Sequence, residues 1–191
     1  VKSRIGVDDQ NTEEVLPEFI TKVANSGCRV FIIHARKALL QGLSPKDNRI
    51  IPPLQYSLVY EMQKNFPGLD IILNGGLTDL KEMKSYVKNR VAGVMIGREA
   101  YQNPSILLNV DNEIFDQKEK VRSMKDVIRN MIEYCNREKS EGTAIKGILK
   151  HLKGAFKGQA NSKEFKRVLF CNETTDSEQL KRLSNLGPTY C

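Results

Sequence analysis

The stretch VFIIHARKALLQGLSPKDNRIIPPL, Val30 to Leu54, decides how the rest of the chain is read. It opens on four apolar, mostly β-branched residues, Val30-Phe31-Ile32-Ile33, the pattern of a short buried strand. It then turns polar at His34, Arg36 and Lys37 and continues as a Gly/Ser/Pro loop that carries Lys46 and Arg49. Ligands of α/β proteins bind beyond the carboxyl ends of the strands, so a buried strand that empties into a cationic loop is a candidate site.

Outward from that stretch the pattern repeats. Val1 to Ile5 reads as a strand closed by Gly6, and Asn11 or Thr12 caps a following helix with Glu13 and Glu14 in its first turn. Val15, Leu16, Phe19, Ile20, Val23 and Ala24 line one face of that helix, and Gly27 ends it. Beyond the opening stretch a helix is expected from about Leu54 to Asn65, then a strand at Leu69–Leu73 ending in Asn74-Gly75-Gly76. Thr78 or Asp79 caps the next helix. Val91 to Ile96 is a fourth strand, ending in Gly97-Arg98 and a short helical turn before Asn103-Pro104. Each strand-helix unit runs about 30 residues, as parallel β/α units require. Four such units predict an α/β fold over residues 1–110, too few for a closed (β/α)8 TIM barrel but half of one, with an open four-stranded sheet as the alternative.

Residues 111–172 read as an all-α helical domain. Val121, Met124, Ile128, Met131 and Cys135 make one apolar stripe, and Glu141-Gly142 interrupts the chain. Ile145, Ile148, Leu149, Leu152 and Phe156 make the apolar stripe of a second helix, opposite Lys146, Lys150, Lys153 and Lys157. A short helix capped by Asn161 or Ser162 follows, with Lys163, Lys166 and Arg167 outside. Residues 173–191 are expected to be a polar, frayed tail.

The charge of +7 points to an anionic partner, and no apolar run approaches a membrane span. Cys28, Cys135, Cys171 and Cys191 never form C-x-x-C, which argues against a zinc site or a disulfide framework and fits a reducing compartment, cytoplasmic or organellar. The chain begins on Val inside a strand pattern, so a fragment with its N-terminal part missing is expected.

Two strand ends suggest a phosphate site. Glycines let backbone N–H groups approach a phosphate in Asn74-Gly75-Gly76 and Gly97-Arg98, and Arg98 adds a forked cation; ordinary tight turns are the plainer account of each. Lys2 and His34 are expected at corresponding depths of two strands, where both could enter one pocket; a solvated lysine and a structurally bonded histidine are the alternatives. The lysines of residues 143–170 are either a solvated helix face or, with Lys46 and Arg49, contacts to nucleic-acid phosphates.

The strings VKSRIGVDD, FIIHARKALLQGLSPKDNRIIPPL, ILNGG and GVMIGREAYQNP resemble the flavin-dependent tRNA-dihydrouridine synthases, most closely the A-type branch that reduces D-loop uridines of the 20/20a type. The resemblance covers roughly residues 1 to 170 and implies a (β/α)8 barrel with a C-terminal helical domain, of which this chain is the C-terminal half of the TIM barrel (strands five to eight) plus the helical domain, with FMN as cofactor, NADPH as reductant and tRNA as substrate. By motif it makes Lys2, His34, Asn74, Gly75, Gly76, Gly97 and Arg98 the FMN contacts. Arg36, Lys46, Arg49, Lys150, Lys153, Lys163, Lys166 and Arg167 become tRNA contacts. GQANSKEFKR stands where the family has an Arg-x-Trp-Arg-Arg-like run, and lysine replaces arginine twice, keeping charge but losing the bidentate fork.

The implied reaction reduces FMN with NADPH, then transfers a hydride to C6 of an unstacked uracil while a cysteine protonates C5. That cysteine belongs to a Gly-Cys-Pro and Ala-Cys context absent from this chain. Cys28 precedes its strand and Cys135 lies on an apolar helix face. The resemblance therefore implies an enzyme portion that lacks the proton donor, is inactive alone, and is monomeric when joined to its N-terminal half-barrel, with no membrane partner. Another phosphate-binding TIM-barrel oxidoreductase and a non-catalytic RNA-binding fragment remain as alternatives.

Overall fold

In the computed structural model, residues 1–118, 120–171 and 174–186 are described; the ends of the expected tail, 173 and 187–191, lie outside them, as does Cys191. The chain divides into two compact units after Gly97, earlier than the expected boundary at 110/111.

The first unit alternates strand and helix: β1 (Lys2–Arg4), α1 (Thr12–Asn25), β2 (Val30–His34), α2 (Tyr56–Asn65), β3 (Asp70–Asn74), α3 (Leu80–Asn89) and β4 (Gly93–Met95). The strands form one parallel sheet in the order β1-β2-β3-β4, each pairing with its predecessor across a helical crossover. Local chemistry explains the boundaries. Asn11 and Asp79 cap α1 and α3 by accepting from the backbone N–H groups of Glu13 and Glu82. Gly27 leaves α1 with φ +98, which an L side chain would adopt only with strain.

Phe31, Ile33, Ile71 and Leu73 are fully buried, together with Leu16 and Ile20 of α1, Val59 and Met62 of α2 and Met83 of α3. One face of the sheet is therefore closed by the three helices. The alternate residues Ile32, His34 and Ile72 are only half-buried and form the opposite face.

The second unit holds α4 (Arg98–Gln102), a 3-10 segment (Pro104–Asn109), α5 (Val110–Glu113), α6 (Met124–Ser140), α7 (Ile145–Leu149), α8 (Ser162–Leu169) and α9 (Asp176–Asn185). Ser123 and Asp126 form a capping box at the start of α6. Met124, Ile128 and Cys135 of α6 join Ile145, Leu149, Phe156, Phe165 and Leu169 in a single apolar core. Val121, expected in that stripe, precedes the helix and is exposed.

Two further expectations are corrected. The second stripe is not one helix: α7 ends at Leu149, passes through a 3-10 turn (Lys150–Leu152) and continues in turns. Ile145, Leu149, Leu152 and Phe156 are buried nonetheless, and Ile148 is half-buried against the same core. Gly154 is the reason the path fits, because a Cβ there would lie 2.5 Å from the Gln102 carbonyl oxygen. The expected frayed tail instead contains α9, capped by Thr175 and burying Leu180 and Leu183 in the same core. Gln179, 2% exposed, donates its amide to the carbonyls of Val168 (3.0 Å) and Leu169 (2.9 Å), satisfying the end of α8. Among the described residues no helix is long and apolar enough to cross a membrane.

Candidate functional site

Strand register builds the site. β1 pairs Lys2 with Ile32 and Arg4 with His34, β2 pairs His34 with Asn74, and β3 pairs Asn74 with Met95. Paired residues of a parallel sheet point to the same side, so Arg4, His34, Asn74 and Met95 form one row across the carboxyl end of the open face. Lys2 shares that face but lies one row deeper, beside Ile32, Ile72 and Gly93. The expectation that Lys2 and His34 stand at corresponding depths is thus corrected: Arg4 is the cation level with His34. Alternation in the sequence already put Lys2 and Arg4 on one face, without stating which of them is level with His34.

Asn74 is 8% exposed and donates its side-chain amide to the Met95 carbonyl at 2.8 Å, which fixes its orientation at the end of β3. Gly75 and Gly76 follow with φ +114 and +67. A Cβ on Gly75 would lie 2.6 Å from the His34 ring, and one on Gly76 would lie 2.7 Å from Leu54 and 3.2 Å from the Tyr56 hydroxyl. Both glycines therefore accommodate the protein's own packing, with His34 resting directly on the loop. Tyr56, which the sequence reading passed over, donates its hydroxyl to the Gly75 carbonyl at 2.5 Å. Its ring belongs to a cluster with Tyr60 and Tyr86, and burial, reinforced by those two neighbours, pushes the Tyr60 phenol up to about 12. Gly97 differs from Gly75 and Gly76: nothing lies within 4 Å of its Cβ position and its backbone is not left-handed.

The loop from Ala35 to Leu54 is braced from the same row. Arg4 donates Nη1 to the carbonyls of Lys37 (2.8 Å) and Asn48 (3.0 Å), and Arg36 donates to those of Ile50 (2.9 Å) and Pro52. Burial first, then the neighbouring Arg36 and Arg49 guanidiniums, pulls the pKa of Arg4 below its ordinary value. It remains a cation at neutral pH. Arg36, expected at the substrate, is a brace in this arrangement. Lys46 and Arg49 are exposed.

Three arginines, a histidine, an amide and a glycine turn gather here at the strand ends, so the donor set suits an anionic, phosphate-bearing ligand. A cleft of about 710 Å³ in the same unit, lined by Tyr60, Gln63, Lys64, Lys88 and Arg90, lies instead at the amino ends of β3 and β4. Gln63 seals that end by accepting from the N–H groups of Ile71 and Ala92, both at 3.1 Å.

Arg98 opens the second unit as the first residue of α4. In that unit Lys146, Lys150, Lys153, Lys163 and Arg167 are exposed and Lys166 is half-buried. Lys157 pairs with Glu99 at 3.2 Å and Arg167 with Glu164 at 3.8 Å. Tyr101 and His151 share a hydrogen bond of 3.1 Å. Cys135 is fully buried, and desolvation followed by Glu138 raises its thiol pKa, which removes it as an accessible acid at this surface. Cys28 sits just before β2, at the opposite end of the sheet from the His34 row.

Residues 1–187 match the family model described as dihydrouridine synthase (Dus). The chain is 48% identical over 170 residues to the tRNA-dihydrouridine(20/20a) synthase of Escherichia coli (strain K12), an alignment covering 88% of this chain and 49% of that protein. It is 46% identical over 168 residues to the protein of that name from Vibrio cholerae, covering 87% and 51% respectively. The corresponding values for Pasteurella multocida are 44% over 169 residues, 88% and 51%. The chain spans about half the length of these curated relatives. With the open row at the carboxyl ends of four parallel strands and a family match running from the first strand through the last helix, the chain belongs to the dihydrouridine synthase family.

Proposed function

We propose that this chain is the C-terminal half-barrel and helical domain of a cytoplasmic tRNA-dihydrouridine synthase that reduces D-loop uridines of the 20/20a type. FMN is its cofactor, NADPH its reductant and tRNA its substrate. The observation that carries the reading is the row Arg4–His34–Asn74, set against a glycine loop at the carboxyl ends of adjacent parallel strands. The names of the relatives support the substrate.

In this reading His34, Asn74 and the Gly75-Gly76 backbone hold the flavin, with Lys2 one row deeper on the same face and Gly97-Arg98 receiving its phosphate. Bound FMN supplies the hydride. Lys2 and Arg4 place positive charge on the face where the flavin and uracil carry negative charge, which favours their anionic forms. Lys46, Arg49, Lys150, Lys153, Lys163, Lys166 and Arg167 neutralise tRNA phosphates, while the tied-down Arg36 shapes the loop that presents the first two. The acid for C5 lies outside these residues, because Cys135 is sealed in the core and Cys28 is at the wrong end of the sheet.

Titration of FMN fluorescence with the chain tests the cofactor. Saturable quenching that is lost in His34→Ala supports the site, whereas no saturable quenching by the wild-type chain rejects it. NADPH-dependent dihydrouridine formation by the 191 residues alone would reject the assignment of the acid elsewhere.

A further inference from the structure

The cationic loop also carries its apolar residues outward. Leu40 is 71% exposed, Ile51 61% and Ile50 52%, yet the backbone bearing them is hydrogen-bonded. The Leu39 N–H donates to the Asn48 side chain at 2.9 Å, and the Asn48 amide donates back to the Leu39 carbonyl. The Leu40 N–H donates to Asp8 at 2.7 Å. The N–H groups of Ile50 and Ile51 bond the Asp47 carbonyl at 2.9 and 2.8 Å, and Arg4 and Arg36 clamp the carbonyls of Asn48 and Ile50. The Asn48 double clasp ties the Leu39–Leu40 segment to the segment ending in Ile50-Ile51. This is a stiff loop that displays large aliphatic side chains in water, and such display marks an interaction surface.

Its charge selects the partner. Between Ala35 and Leu54 stand Arg36, Lys37, Lys46 and Arg49 against one acid, Asp47, whose carboxylate already accepts from Ser44 at 2.6 Å. A polyanion with an apolar interior fits such a loop, and stacked nucleic-acid bases between phosphate strands are that combination. Enzymes that act on a base draw it out of its stack, and proteins that unstack nucleic acid insert Leu or Ile between base steps. We infer that Leu40 and Ile51 form a wedge that enters the base stack of the RNA next to the extracted uridine, with Lys46 and Arg49 on the flanking phosphates. The inference rests on the tRNA reading above and adds to it a part of the surface that separates bases rather than holding phosphate.

The test uses the 191-residue chain and a D-arm RNA hairpin with 2-aminopurine in its loop, whose fluorescence rises on unstacking. The wild-type chain is expected to bind and raise the signal. Leu40→Ser/Ile51→Ser is expected to bind about tenfold more weakly and leave the signal low, with an unchanged melting temperature because both side chains are exposed. Leu40→Met/Ile51→Leu restores both readouts. Lys46→Ala/Arg49→Ala lowers the salt dependence of binding. If the serine variant matches wild type, or if wild type binds without unstacking, the wedge is wrong while the tRNA reading stands. If the wild-type chain does not bind the hairpin at all, both fall. If sedimentation shows a wild-type dimer that the serine variant abolishes with RNA binding intact, the ridge covers a second copy of the chain and the inference is overturned.

Discussion

Replacing Gly75 by alanine separates two reasons for a glycine at the end of β3. If glycine is there only to let a phosphate approach the backbone, the change costs ligand affinity and nothing else. The structure assigns a packing cost as well. At φ +114 an L residue is strained, by about 1–2 kcal/mol on the scale of left-handed backbone. The added methyl would lie 2.6 Å from His34 Cδ2 and 3.0 Å from both His34 Nε2 and Leu54 Cδ2, an overpacking that costs about 1–3 kcal/mol. Alanine recovers up to about 1 kcal/mol by restricting the unfolded chain. The net is about 3 kcal/mol of destabilisation in the first unit.

With a urea slope of about 2 kcal/mol per molar, that moves the unfolding midpoint down by about 1.5 M. Far-UV circular dichroism is the appropriate probe because the chain has no tryptophan. Gly97→Ala is the internal control: with no atom within 4 Å and no left-handed backbone, it should stay within about 0.5 kcal/mol of wild type. If Gly97 serves only phosphate approach, its variant loses FMN affinity at full stability. A Gly75→Ala midpoint within about 0.3 M of wild type would refute the packing argument and leave ligand approach as the sole reason for that glycine.

Four further outcomes are expected. Gln179→Met keeps the volume but removes two bonds to the end of α8, so it should destabilise the second unit by about 1–3 kcal/mol in a thermal melt. Ser123→Ala removes the α6 cap at a cost of about 1 kcal/mol. Ser123 also holds the Asp126 carboxyl below its ordinary pKa; its contribution is present above the unfolded-state value and lost as pH falls through the lower folded-state value, so an acid titration of stability should be shallower in Ser123→Ala. A thiol reagent should label Cys28 in the folded chain, whereas Cys135, buried and with its thiol pKa raised, should be labelled only after unfolding. Alanine at Lys150 and Lys153 should weaken tRNA binding across sequences and reduce the slope of log K against log salt by about 1–2 in a filter-binding titration.

The alternation of strands and helices was legible because each strand carries its own apolar run and each helix its own cap and stripe. Register was not. Alternation puts Lys2 and Arg4 on one face, but nothing inside VKSRI or VFIIH states which of them pairs with His34; the observed register places Arg4 there. The continuous helix expected over 145–156 failed because apolar spacing cannot reveal the approach of Gly154 to the Gln102 backbone. Helix α9 was hidden by composition, since only two leucines, with the polar Gln179, do its burial. Its start was nonetheless written in Thr175-x-x-Glu178, a capping-box spacing that outweighs the polar background. Tyr56 could not be found from sequence, because its partner is a backbone carbonyl in another loop.

The two faces of the sheet bear on which α/β architecture these strands belong to. In a doubly wound sheet both faces are covered by helices, and central parallel strands read as nearly continuous apolar runs. Here one face obeys that rule, with Phe31, Ile33, Ile71 and Leu73 all at 0–1% exposure. The other places Lys2, then Arg4, His34 and Asn74, in register across three neighbouring strands. A helix packed on those rows would bury guanidinium, ammonium and imidazole groups against an apolar surface, at a cost that pairing must offset, and the row includes no acid to pair with them. A barrel interior avoids that cost, because its inward rows stay polar where they meet a ligand at the carboxyl-end mouth. The asymmetry is a reason for proposing the half-barrel rather than the open sheet, and that proposal sets the flavin and uracil on the face that carries Lys2, Arg4, His34 and Asn74.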